Sequence, residues 1–187
     1  DQLGTWAAWT KDLSGDGIHD LVLAAPKGGH GGGAFVPTFG YARVLQSRAR
    51  GVIGSFGRGC YGTKGRARLM GYGTAEFGGQ VTLTVRGVRP SSPATFEFGL
   101  SRTRWLSQPL PWNLTTAGLT GCNLLVAPAV RHVSATSSSG TDAVAFAVPT
   151  NTSLLGVPVY VQHACADAAA NATGATLSNA VWFAVGY

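Results

Sequence analysis

The chain has 187 residues, only 12% of them charged, and a formal net charge of +6. That is about half the charged fraction of an average soluble domain, and the reverse of the polar, highly charged balance that keeps chains disordered. No apolar run approaches the ~20 residues that span a bilayer, so no membrane span is expected.

The chain opens at Asp1 with neither a Met nor a leader, which reads as a processed or excised product. Asp1, Asp12, Asp16 and Asp20 are four of its eight acids. The segment Asp12-Leu13-Ser14-Gly15-Asp16-Gly17-Ile18-His19-Asp20 places oxygen donors at loop positions one, three, five and nine: Asp12, Ser14, Asp16 and Asp20. The carbonyl of Ile18 falls at position seven, and Gly17 allows the sharp reversal that brings early and late donors together. Calcium takes six to eight hard oxygens, so water or a bidentate Asp20 would complete the shell. An EF-hand needs a bidentate Glu at position twelve and flanking helices, whereas position twelve is Leu23 within a strand-like apolar run. Without a cation, three carboxylates this close would repel one another.

Asp12 to Asp20, followed by Leu21-Val22-Leu23-Ala24-Ala25-Pro26, resembles the FG-GAP repeat of integrin-type β-propellers. In that family a D-x-[ND]-x-D-G-x-x-D calcium loop precedes a strand ending Gly-Ala-Pro. Here Ala stands for the family's Gly, and Ser14 occupies a position where Asn or Asp is commoner. The stretch Gly31 to Phe39 is similar to the blade's next strand, so the resemblance covers about residues 5–45, one repeat. It implies a bound Ca2+. A single repeat closes no propeller and leaves open sheet edges that need a cover.

Residues 46–65, rich in Arg and Gly, read as a connector. Seven bases (Arg43, Arg48, Arg50, Arg58, Lys64, Arg66 and Arg68) occur between Arg43 and Arg68 with no acid among them. They read as a solvated linker or as a patch for an anionic polymer, or for the acidic end of a neighbouring copy. No DNA- or RNA-binding signature accompanies them, so nucleic acid is not an expected partner.

From residue 66 to residue 187 the pattern is one of short strands. Val81, Leu83 and Val85 alternate with polar residues, as do Phe96 and Phe98; Val144, Phe146 and Val148 alternate with alanines. Val157, Val159 and Val161, then Val181, Phe183 and Val185, repeat the pattern. Turn signals at Arg89-Pro90-Ser91, Gln108-Pro109 and Ser139-Gly140 separate them. Helix-forming residues run only from Ala164 to Ala172, enough for one turn. The expected fold is all-β: an FG-GAP-like unit over residues 1–45, then an antiparallel β-sandwich of seven or eight strands over residues 66–187.

Stretches of this second region resemble a C-terminal β-sandwich domain found behind FG-GAP and other repeats in secreted proteins of environmental bacteria. They are Gly59-Cys60-Tyr61-Gly62, Leu110-Pro111-Trp112-Asn113-Leu114, Gly121 to Pro128, Val148 to Asn151, and Leu177-Ser178-Asn179-Ala180. The resemblance implies an extracellular or cell-surface location and no enzymatic activity. The three cysteines, with no C-x-x-C and no zinc spacing, suggest one disulfide and one thiol left over. The family often carries a cysteine at each of the Cys60 and Cys122 positions. That favours pairing them and leaves Cys165 free or bonded to another chain. Asn113, Asn151 and Asn171 head sequons for N-glycosylation.

Nothing points to catalysis. His19, His30, His132 and His163 lie in no zinc-protease motif, no nucleophile elbow is present, and Glu76 and Glu97 stand isolated. Trp6 with Trp9, and Trp105 with Trp112, read as core or interface residues more readily than as sugar-stacking platforms. The chain therefore reads as a non-enzymatic, calcium-binding structural subunit. It would assemble with copies of itself into a filament, tube or surface layer. Two other readings stay open: an adhesin or carbohydrate-binding sandwich taking glycans, and a C-terminal sorting domain of a larger secreted propeller protein.

Overall fold

The computed structural model describes residues 6–11, 13, 19–25, 41–45 and 50–187. The chain divides into two compact units, Asp1–Ala49 with Tyr187, and Arg50–Gly186. In the first, β1 (Trp6–Trp9), β2 (Leu21–Ala25) and β3 (Tyr41–Leu45) form an antiparallel sheet in the order β1-β2-β3. Trp9 pairs with Leu21, and beyond that pair Thr10 N–H donates to the Asp20 carbonyl. The apolar run expected after the acidic loop is the middle strand, half-buried from Leu21 to Ala24.

The second unit begins earlier than its alternating pattern. β4 (Val52–Phe56), β5 (Tyr61–Gly62) and β6 (Gly65–Arg66) precede β7 (Arg68–Gly73) and β8 (Gln80–Arg86). The stretch 46–65 is thus no mere connector: its Val-Ile-Gly-Ser-Phe run pairs with the last strand of the chain. Next come β9 (Pro93–Gly99), β10 (Arg104–Trp105), β11 (Gln108–Pro109), β12 (Trp112–Asn113) and β13 (Asn123–Leu124). They are followed by β14 (Val130–Ala135), β15 (Thr141–Ala147), β16 (Pro158–Ala166) and β17 (Ala175–Ala184). The one helical turn expected over 164–172 is not there. Ala164 to Ala166 complete β16, Ala164 and Cys165 pairing with both β9 and β17 and Ala166 with β17, and turns follow from Ala168.

Two antiparallel sheets carry the unit, a five-stranded one in the order β14-β9-β16-β17-β4 and a three-stranded one in the order β15-β8-β7. They share one apolar core. Val81, Leu83 and Val85 of β8 and Leu69 of β7 meet Phe96 of β9, Val161 of β16 and Val181 and Phe183 of β17. The period-two alternation is what places these residues on one face of each strand.

The five-stranded sheet is covered on its other face too. Cys60, Cys122, Leu124 and Leu177 form a second cluster with Trp105, Leu110, Trp112, Leu114 and Leu119. The disulfide Cys60–Cys122, with Cα atoms 4.8 Å apart, pins this covering segment. Buried Gln162 helps hold it: its side-chain oxygen accepts from Leu125 N–H at 2.9 Å, and its amide donates to the Asn123 and Ser178 carbonyls. Gly59 is required beside the cystine, because a Cβ there would strike the Ala67 carbonyl.

Candidate functional site

Of the five expected calcium ligands, Asp12, Ser14, Asp16 and Ile18 lie outside the described residues, and Asp20 lies within them. Asp20 is fully buried at the neck of the hairpin loop. Its Oδ2 accepts from Leu13 N–H at 2.8 Å, and its carbonyl accepts from Thr10 N–H at 2.8 Å. Among the described residues no group of three or more His, Cys, Asp or Glu gathers to hold a metal.

The leftover cysteine is not placed for another chain. Cys165 is 2% exposed and packs within the main core. Burial pushes its thiol pKa above the ordinary value, opposed by a contact with the Arg89 carbonyl. An intermolecular disulfide through Cys165 is therefore ruled out in the folded unit, because no partner sulfur reaches it. The sequons differ as well. Asn113 and Asn151 are exposed, whereas Asn171 is half-buried and its amide donates to Ala175 O at 2.7 Å. The nitrogen that would carry a glycan is thus engaged within its own turn.

The histidines occupy different surroundings. His19 and His132 are exposed, and His30 lies outside the described residues. His163 is fully buried, its Nε2 3.1 Å from Asp142 Oδ2, which also accepts from the Ser134 hydroxyl at 2.6 Å. The order is serine to aspartate to histidine, so the group at the hydroxyl is the carboxylate and not the imidazole, and the chain of contacts runs from half-buried Ser134 to fully buried His163. It links β14 and β15 to β16. Trp105 and Trp112, with ring centroids 5.9 Å apart, are half-buried and pack beside the disulfide against the second cluster. Trp9 is 73% exposed on β1.

Two surfaces of the second unit stand out. One is the edge strand β14, where Val130 and Val133 are 66% and 73% exposed. Pro93 pairs with Ala135 and has no N–H to give. The bonded pairs are therefore the alternate ones, and Arg131, Val133 and Ala135 turn their own N–H and C=O groups to the open side. Among the described residues no backbone hydrogen bond reaches these groups. Sequence alternation missed this strand, because Val130-Arg131-His132-Val133 has no period of two.

The second surface is a groove between β4 and β7, the outer strands of the two sheets at one side of the core. One stretch, about 470 Å³, is lined by Arg58, Arg66, Arg68, Ser55 and Asn179. A further stretch of about 260 Å³ shares Arg68, Ser55 and Asn179 and continues past Ile53 to Tyr72. A bulge between β16 and β17 frees Asn179 to span the sheets at the groove floor. Its Oδ1 accepts from Leu69 N–H at 2.8 Å and its amide donates to Leu69 O at 3.0 Å. Part of the basic run noted in the sequence thus becomes a folded surface.

No protein-family model, curated protein or solved structure matches this chain.

Proposed function

We propose that the chain is an extracellular, calcium-binding structural subunit that assembles with copies of itself. The observation that carries this reading is the open edge of β14, six residues long, with exposed valines and neither Lys nor Pro to block it. Natural sheets protect such edges unless another strand completes them. The complement on a second copy is the sheet of the first unit, whose outer strands β1 and β3 each pair on one side only among the described residues. Joining two different surfaces head to tail propagates into a filament, tube or layer, unlike a self-complementary contact that stops at a dimer. Calcium in the Asp12 to Asp20 loop would fix the β1–β2 hairpin that is to be offered. The disulfide suits an oxidising compartment.

Sedimentation velocity with calcium and with a chelator tests the reading. Oligomers are expected with calcium and smaller species without it. Val133→Pro should give monomers in both, because the Val133 N–H faces outward and its loss leaves the β9 pairing intact. A monodisperse monomer of the unaltered protein under both conditions would overturn the proposal.

A further inference from the structure

We infer that the groove between β4 and β7 binds an acidic polysaccharide. Arg58, Arg66 and Arg68 converge on it, all exposed, and no carboxylate lines it. Arg86 stands directly opposite Arg68 on the neighbouring strand, a like-charge cross-strand pair that is unfavourable in the free protein. The ion pairs among the described residues are Arg131–Glu97 and His163–Asp142, so none of these four arginines has an acid of its own. Arg66 is held ready over the Tyr61 ring, 4.5 Å from its centroid. Planar guanidinium groups match the two oxygens of a carboxylate or sulfate and give up hydration more readily than an ammonium does.

The continuation of the groove past Arg68 selects a polymer over a single anion: its charged end takes acidic groups while Ser55 and Asn179 flank the chain between them. Nucleic acid fits less well. Single strands are gripped by successive aromatic rings on which bases stack, and Tyr72 is the one aromatic side chain lining either stretch. This inference stands apart from the assembly reading, since it uses neither β14 nor the calcium loop.

The test is titration of the intact protein with alginate, with neutral dextran, and with poly-dT matched to the alginate in charge. Alginate should bind, weakening several-fold between about 50 and 200 mM salt as counterions are released. Dextran should not bind, and poly-dT should bind at least about tenfold more weakly than alginate, a gap of about 1.4 kcal/mol. Arg66→Gln with Arg68→Gln should weaken alginate about tenfold, while Arg89→Gln with Arg104→Gln, equal in charge removed but outside the groove, should change it less than about twofold. Arg58→Gln alone provides a second groove variant if the first pair is poorly folded, and thermal melting confirms each fold. Absence of alginate binding at low salt overturns the proposal, as do equal losses in groove and control variants or equal affinity for poly-dT.

Discussion

Asp142 of the three-stranded sheet and His163 of the five-stranded sheet meet across the core, Oδ2 to Nε2, at 3.1 Å. Phe96 packs against the imidazole edge to face, with centroids 4.8 Å apart, and Nδ1 has no hydrogen-bond partner. Burial lowers the His163 pKa more than the hydrogen bond and charge of Asp142 raise it. The neutral ring therefore donates through Nε2–H, and a proton on Nδ1 would be stranded in the core.

A group whose folded pKa is depressed binds protons more readily when unfolded, so stability falls as pH drops below the unfolded histidine value of about 6.5. The loss ends once the pH is below the folded value. Melting temperature followed from pH 8 to pH 5 should decline in that window. His163→Gln keeps a donor for Asp142 and does not titrate, so it should be less stable at pH 8 by about 1–2 kcal/mol and show a shallower decline. An unchanged slope would assign the pH dependence elsewhere.

The cystine closes a loop of 62 residues and fastens the segment that covers the outer face of the five-stranded sheet. Chain-entropy reasoning assigns such a cross-link about 4 kcal/mol. Cys60→Ala with Cys122→Ala should lose about that much in urea unfolding. Trp105 and Trp112 lie beside the bond, so their fluorescence should report the segment loosening.

Cys165 should behave as a core residue. In the folded protein a thiol reagent such as Ellman's should label no cysteine, and one should react after unfolding with the disulfide kept intact. Cys165→Ala should cost about 1–2 kcal/mol through lost packing and leave the oligomeric state untouched. A disulfide-linked dimer under mild oxidation would contradict the burial.

Much of the core was legible because alternation is strict in β8 and present over part of β9, β15, β16 and β17, and a half-buried strand has no other way to place Val81, Leu83 and Val85 on one face. What escaped is what alternation does not encode. β4 lies in a Gly- and Arg-rich stretch and buries Ile53 and Phe56 at a spacing of three, and β14 is an edge exposed on both faces that needs no patterned face. His163 and Asp142 come together through the packing of one sheet on the other, and no local spacing announces that. The acidic loop was the reverse case, a spacing of oxygens clear in one dimension, of which Asp20 is the member the structure describes.

Asp20 decides the calcium reading most directly. Its carboxylate is buried and engages Leu13 N–H, so Asp20→Asn preserves a side chain of the same shape with one acceptor oxygen while removing the charge. If the loop holds calcium, the unaltered protein should release heat on titration with the ion and melt higher in its presence, because binding to the folded state alone adds stability that grows with the logarithm of the free-ion concentration over its dissociation constant. Asp20→Asn should abolish most of that gain while losing about 1 kcal/mol or less without the ion. If the carboxylate merely caps the loop backbone, the variant and the parent should respond alike to calcium. The two outcomes separate a metal ligand from a turn-forming aspartate, since charge matters strongly to the first and hydrogen-bonding shape to the second.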